Sequence, residues 1–336
     1  MGSIGLARQL RVRRGLRWVG ALNKSSARFG PTGVRPGETK GEEVVTDKGG
    51  ASAFPPTWAW ESFRSEIAAL DRGLDGSLVD LPRLARAIPL DVWGDILLDP
   101  ARHLPVSGAA LPVMPTPEIQ TSWCGSHGGT LLRQSLAFIR SLVAAAGDDL
   151  YRGPVLDYGV GWGRLSRLLL KYVAVEQIVG VDAWQRSLDI CRSCGIPHPL
   201  RLVSTRLAPA ELEPDHYSVV YAFSVFTHLA PAAFAHNLRA LAVALRPGGR
   251  LVVTTRPAEF LVMPGYPYAD AAKVDQTLSD GIVHIGEKGE VVDYGDTTVS
   301  PTWMAGQLSA CGLVDVGVDW NHGTAYQIVW SAKKPG

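Results

Sequence analysis

An α/β fold is predicted for this chain, a mostly parallel sheet covered by helices on both faces, and three observations predict it. Short apolar runs, each the length of a buried strand, recur between residues 155 and 255. Amphipathic stretches with helical spacing lie between them, which demands crossover connections and hence parallel pairing. Two last strand candidates, Val314 to Val318 and Tyr326 to Ser331, are joined by the turn Asn321, His322, Gly323 and so form a hairpin at the sheet edge. With 336 residues, 46% hydrophobic and 19% charged, the chain can bury a large core, and disorder throughout is excluded.

The elements follow in chain order. Residues 1 to 37 hold Arg8, Arg11, Arg13, Arg14, Arg17, Lys24, Arg28 and Arg35 with no acid, although the whole chain is only +1, so the remainder is net negative. Such a segment reads first as a solvated tail; a transit peptide or an arm for nucleic acid or anionic lipid are the alternatives. Leu6 stands where a myristoylation signal wants Ser or Thr. Residues 38 to 54 lack periodicity and precede Pro55 and Pro56, so 1–54 is expected to be a basic disordered tail and linker, with order starting near Trp58. Prolines at 82, 89, 100, 105, 112, 115 and 117 restrict the next stretch to short helices, and 55–149 is expected to form an N-terminal cap. Leu132, Leu136, Ile139 and Val143 mark one face of a helix ending before Gly147.

The main domain is expected over 150–333. Its strand candidates are Val155 to Tyr158, Ile178 to Val181, Leu200 to Val203, Ser218 to Ala222 and Arg250 to Thr255. Leu165, Leu168, Leu169 and Tyr172 form one helical stripe, Phe234, Leu238, Leu241 and Leu245 another, and Pro301 to Cys311 a last helix. Between them, 256–300 interrupts the alternation. Ile282 to Ile285 and Glu290 to Tyr294, linked by Gly286, Glu287, Lys288 and Gly289, read as an inserted β-hairpin on the substrate side of the sheet.

The chemistry concentrates in a strand that ends in Asp157, Tyr158, Gly159, Val160, Gly161, Trp162, Gly163 and runs into a helix. Glycine is needed where the backbone turns with positive φ and where a ligand approaches the main chain, so the turn suits a cofactor cradle. Its G-x-G-x-G spacing differs from the dinucleotide fingerprint. Asp182 ends the second strand, where a carboxylate can accept both hydroxyls of a ribose or cap the following helix. Leu245, Arg246, Pro247, Gly248, Gly249 turns a helix into a buried strand. Upstream, Met114 to Gly129 looks like a loop over the cofactor site or the cap of the next helix. Cys191 and Cys194, with His198 nearby, have a spacing zinc could use, but no second pair follows, and they read as buried helix cysteines with no metal expected.

Taken together, D-Y-G-V-G-W-G at 157–163, V-G-V-D at 179–182, Y-A-F-S-V-F-T-H-L at 221–229 and L-R-P-G-G-R-L at 245–251 resemble the class I, Rossmann-like S-adenosylmethionine-dependent methyltransferases over about residues 150–332. The resemblance implies a seven-stranded, mostly parallel sheet with an antiparallel last strand. It also implies that Asp157, Gly159, Gly161 and Gly163 hold the methionine part of the cofactor and Asp182 the ribose, with Phe223 and Ser224 beside the sulfonium. Two departures stand out. The acid that many relatives carry after the third strand is replaced by Leu202, Val203, Ser204, Thr205, so a hydroxyl such as that of Thr205 would face the adenine, and the frequent Phe-Asp pair is Tyr217 and Ser218 here.

The expectation is an S-adenosylmethionine-dependent methyltransferase acting on a hydroxyl oxygen of a small molecule. An RNA methyltransferase using the basic arm, a nicotinamide oxidoreductase and a non-catalytic binding protein are the alternatives. A general base would be a histidine: His127 on the cap loop, then His284 on the inserted hairpin, then His228 after the fourth strand. No apolar run approaches the roughly 18 residues of a membrane-spanning helix. Four cysteines make no disulfide framework, and the expected location is cytoplasmic.

Overall fold

The computed structural model describes residues 57–74, 78–286, 293–320 and 326–336. The expected tail 1–54, the Asn321 to Gly323 turn and most of the predicted Glu290 to Tyr294 strand lie outside them. The described chain begins with α1 (Thr57–Ser62), α2 (Arg64–Gly73), α3 (Leu81–Leu84), α4 (Leu90–Leu98) and α5 (Pro100–His103), then α6 (Pro117–Cys124) and the long α7 (Gly128–Ala146). Pro82, Pro100 and Pro117 sit in first turns, where a missing N–H leaves no bond unmade, and Pro89 caps α4.

Alternation follows: β1 (Val155–Tyr158), α8 (Ser166–Leu169), β2 (Ile178–Asp182), α9 (Gln185–Ser193), β3 (Leu200–Leu202), β4 (Tyr217–Ala222), α10 (Pro231–Ala244) and β5 (Leu245–Thr255). The chain closes with α11 (Ala271–Asp280), β6 (Ile282–Ile285), β7 (Asp296–Val299), α12 (Pro301–Ala310), β8 (Val314–Asp319) and β9 (Ile328–Lys333). Seven strands form one sheet in the order β3-β2-β1-β4-β5-β9-β8, parallel through β5, with β9 antiparallel to both its neighbours. Both layers of the core come from strand alternation. Val155, Val219 and Val252 face Leu136, Ile139 and Leu168 on one side. Leu156, Val220 and Val253 face Phe234, Leu241 and Met304 on the other.

The N-terminal helices join the first layer and are pinned by polar contacts as well as packing. Trp93 Nε1 donates to Leu168 O at 3.2 Å, and Lys171 Nζ to Ala85 O at 2.6 Å and Arg86 O at 3.2 Å. Burial lowers the Lys171 ammonium to about 8. Among the described residues no helix is long and apolar enough to cross a membrane.

Three expectations are corrected. The stripe Leu165 to Tyr172 is not one regular helix, because Leu168 and Tyr172 bond three residues back, to Leu165 O and Leu169 O, and the tightened segment is α-helical only over Ser166–Leu169. The partner of β6 is Asp296–Val299, pairing Ile282 with Val299 and Ile285 with Asp296, rather than Glu290 to Tyr294. The reason is that Asp293 and Tyr294 are engaged elsewhere: Tyr294 bridges Leu229, and Ala230 N donates to Asp293 O at 2.9 Å. Finally, the Pro-Gly-Gly segment is part of β5, with a register shift in its pairing to β4, rather than a separate turn.

Candidate active site

The glycine-rich turn lies at the carboxyl end of β1. Gly159, Gly161 and Gly163 have φ of 80°, 56° and 78°. A Cβ at Gly159 would overlap Val225 and one at Gly163 would overlap Ile196, whereas one at Gly161 meets nothing within 4 Å. Packing thus requires the outer two glycines, and the middle one faces open space where a ligand can lie against the main chain. Gly159 N and Val160 N donate to Val181 O at 2.8 and 2.9 Å, and Gly161 N donates to Asp182 Oδ2 at 2.9 Å, fastening the turn to β2. Asp182 Oδ1 accepts from Trp184 N at 2.9 Å, which holds the turn leading into α9 without capping that helix, whose N-cap is Trp184. Each of its oxygens retains a second acceptor position for a ligand hydroxyl. Burial raises the Asp182 pKa against the pull of those backbone donors.

Asp157 is in register with Tyr221 on β4 and is 2% exposed. Neither its Oδ2 nor the Tyr221 hydroxyl completes a hydrogen bond of good geometry among the described residues. Burial pushes the Asp157 carboxyl up to about 7; the Tyr221 hydroxyl opposes the shift, the Asp182 charge adds to it, and the Arg164 charge opposes it. A buried acid in this condition is completed by a cation with N–H donors. The ammonium of S-adenosylmethionine is such a group, and the open face at Gly161 leaves main chain for the rest of the amino-acid end, so the residues present fit the cofactor.

Arg167 supports the turn from beneath. Its fully buried guanidinium donates to Gly163 O at 2.9 Å, Trp162 O at 3.1 Å and Val113 O at 2.6 Å, joining the turn to the loop before α6. Burial lowers it to about 10, still charged near neutrality. Cys191 and Cys194 are free thiols, and Cys191 Sγ donates to Gly161 O at 3.2 Å. After β3, Ser204 gives both its N–H and hydroxyl to Glu211 Oε1, at 2.7 and 2.8 Å, while Thr205 O accepts from Asn237 Nδ2 at 2.8 Å. An acid is therefore present near this loop, turned inward to hold it, and Thr205 keeps its side chain half-buried beside it. Tyr217 bonds Glu213 and Arg201, and Ser218 bonds Pro154 O, so both departures in β4 have structural partners.

Beyond β4, Phe223 packs on Phe138 of α7 with centroids 4.7 Å apart. Ser224 has φ of 60°, rare outside glycine, and is held there by Ser224 N donating to Thr254 Oγ1 at 2.7 Å and by Gln327 Nε2 donating to its hydroxyl at 3.2 Å. His228 Nδ1 bonds Gly295 O at 2.7 Å, and its Nε2 is 3.5 Å from Arg256 Nη2. His284 Nδ1 bonds Thr297 Oγ1 at 2.8 Å; that hydroxyl already donates to Leu229 O, so the imidazole carries its proton on Nδ1. His127 is exposed on the α6–α7 connection, its Nδ1 3.0 Å from Thr121 Oγ1. The hairpin thus brings His228 and His284 to one junction, and His127 stands on a different element.

An aromatic row spans these elements. Trp123 of α6 meets Trp184 edge-on at 5.8 Å, Trp184 meets Tyr294 at 5.2 Å, and Tyr294 stacks on His228 at 4.8 Å. Sequence reasoning missed Trp184, Tyr294, Tyr221, Arg167 and Glu211. Only Trp184 carried a local signal, being an aromatic two residues after the strand-end acid Asp182; the others are defined by register or by contacts between distant segments.

Residues 155–249 match a family described as "Methyltransferase domain". A ubiquinone biosynthesis O-methyltransferase from Aeromonas salmonicida (strain A449) is 29% identical over 120 residues, 34% of this chain and 49% of that protein. The chain thus spans about half the length of this curated relative. Among solved structures, a methyltransferase from Leishmania major matches with 16% identity over 82% of this chain and 91% of its own, TM-score 0.46. An S-adenosylmethionine-dependent methyltransferase from Mesorhizobium loti matches with 16% identity over 60% of this chain and 98% of its own, TM-score 0.44.

Proposed function

We propose that this class I, Rossmann-like S-adenosylmethionine-dependent methyltransferase transfers its methyl group to a hydroxyl oxygen of a small molecule. The observation that carries the reading is the aromatic row Trp123, Trp184, Tyr294 and His228, contributed by four separate segments: α6, the chain after β2, the chain before β7 and the β4–α10 connection. Such a roof suits a compact acceptor better than a polymer lying in an open groove. The O-methyltransferase relative supports an oxygen acceptor.

When bound, the cofactor supplies an electrophilic methyl on a sulfonium. The chain's own part is alignment and exclusion of water. Asp157 receives the ammonium, Gly159, Gly161 and Gly163 shape the turn around the methionine part, Asp182 takes the ribose hydroxyls, and Thr205 borders the adenine. Phe223 and Ser224 form the floor beside the reacting centre. A histidine would take the proton of the acceptor hydroxyl. His127 is placed first in this role because its Nε2 has no partner among the described residues, then His284, then His228.

The test combines labelled S-adenosylmethionine with a panel of hydroxylated small molecules and RNA, followed by His→Gln at each of the three positions. Label is expected on a small hydroxylated acceptor, and the base variant should lose about 10²-fold or more in kcat with cofactor affinity retained. Transfer to RNA alone, or binding of NADH and not of S-adenosylmethionine, would refute the reading. If all three variants stay within a few-fold of wild type, no histidine is the base.

A further inference from the structure

A strap of chain crosses the loops that follow β2, β3 and β4. Residues 293–297 run antiparallel to 227–230, with Ala230 N donating to Asp293 O at 2.9 Å, Gly295 N to His228 O at 2.8 Å and Thr297 N to Thr227 O at 2.9 Å. This ladder leaves the Tyr294 ring between two parts of the site, stacked on His228 with centroids 4.8 Å apart and 5.2 Å from the ring of Trp184. Burial pushes the Tyr294 hydroxyl up; the Arg256 charge opposes that shift and the Asp182 charge adds to it, so the ring lies within reach of the Asp182 field.

The strap is tied to the β3 side by a fork of two hydrogen bonds. Arg206, directly after Thr205, donates from Nε to Asp293 Oδ2 at 2.8 Å and from Nη2 to Asp293 Oδ1 at 2.9 Å. Its backbone is a fixed post, because the buried Asn237 of α10 bonds both of its neighbours, donating from Nδ2 to Thr205 O at 2.8 Å and accepting from Leu207 N at 3.0 Å. Asp293 has φ of 76°, a conformation that Asp tolerates better than most residues and that the fork holds in place. The strap thus joins the loops that carry Asp182 and Thr205, the two residues assigned above to the nucleoside end of the cofactor. We propose that the Arg206–Asp293 pair is the latch of this strap, and that it opens for S-adenosylmethionine to enter and S-adenosylhomocysteine to leave. The proposal rests on the cofactor reading above and adds a gate to it. The latch partners hold each other rather than the ligand, so they stabilise the closed strap equally with and without it. Their pairing sets the exchange rates and leaves affinity nearly untouched.

Exchange kinetics test it. Protein loaded with labelled S-adenosylmethionine is chased with excess unlabelled cofactor for the release rate, rapid mixing gives the association rate, and both are repeated with S-adenosylhomocysteine. Arg206→Gln and Asp293→Asn should each raise both rates about fivefold, the kinetic equivalent of a partly exposed ion pair, with Kd within about twofold of wild type. The double variant should gain no more than either single one, since each alone already opens the latch. Added salt should speed release from wild type and leave release from Arg206→Gln unchanged. Thermal melts check that each variant is folded. Faster release with unchanged association would show that these side chains hold the ligand or shape its pocket, and unchanged rates would show that the strap does not gate the site. Either result overturns the latch and leaves the cofactor reading standing. A wild-type protein that binds neither ligand overturns both.

Discussion

Burial accounts for most of the unusual character of Asp157: with its carboxyl removed from water and its Oδ2 unpartnered, the neutral form is favoured and the pKa rises from 3.8 to about 7. The consequence for stability has a definite sign. The unfolded chain releases this proton near 3.8 while the folded chain keeps it to about 7, so the stability the protonated acid contributes is full below the lower value and is lost as pH rises through the upper one. Asp157→Asn, which stays neutral, should therefore be more stable than wild type at pH 8 and close to it at pH 4. The gap should open by as much as about 1.4 kcal/mol per pH unit across the window. Denaturant midpoints of the ligand-free proteins at the two pH values provide the measurement, and a gap that does not grow with pH would contradict the account. On the proposed reading the same substitution also removes the partner of the cofactor's ammonium, so the gain in stability should come with a loss of cofactor affinity. That opposition is what separates a site residue from a core residue.

Elements were legible to different degrees, and the differences have physical causes. β1 and β4 are buried along their whole length, so their apolar runs stand out in the sequence. The glycine turn was legible because positive φ restricts residue choice. The segment after it was not, since Arg167 occupies a position of the predicted helical face that looks polar and is in fact fully buried. The return strand of the hairpin was misplaced because Glu290 to Tyr294 has suitable residue types, while the pairing was decided by contacts of Asp293 and Tyr294 with segments far away in the chain. Arg167 also carries a prediction at this scale. Arg167→Met fills similar volume but leaves Gly163 O, Trp162 O and Val113 O without the guanidinium donor, and each such carbonyl costs about 1–3 kcal/mol. The expected result is a large fall in melting temperature together with weakened S-adenosylmethionine binding, since the turn loses its support. Arg167→Lys should rescue little, because one ammonium cannot reach carbonyls arranged for a fork. A fully stable Arg167→Met protein would show that water or a rearranged loop satisfies the carbonyls.

At the scale of the whole molecule, the motifs pointed to the proposed cofactor half of the site, because that half is built from consecutive residues at strand ends. The proposed acceptor half is assembled from α6, the β4–α10 connection and the β6–β7 hairpin, and no local pattern announces which of their side chains meet. Beside backbone bonds such as Thr297 N to Thr227 O and Val299 N to Arg256 O, both at 2.9 Å, the hairpin is fastened by a buried ionic contact: Asp296 of β7 pairs with Arg256 and accepts from Tyr266 Oη at 3.1 Å, while Arg256 Nη1 also donates to Thr227 O at 3.1 Å. Breaking such a pair on one side leaves a buried charge without its counterion, which is more damaging than never having had the pair. Asp296→Asn keeps the shape and an acceptor for Arg256 but removes the charge, so it isolates the ionic part. It should cost about 2 kcal/mol, the scale of a charged hydrogen bond. The loss should be local: amide exchange should accelerate in Ile282–Ile285 and Asp296–Val299 and stay slow in β1 and β4. Because the glycine turn and Asp182 are held by their own contacts with β2, cofactor affinity should change by no more than a few-fold, and KM for the acceptor should rise. Equal acceleration of exchange throughout the sheet would mean that the hairpin is part of one cooperative unit with it, and the acceptor half could then not move independently of the cofactor half.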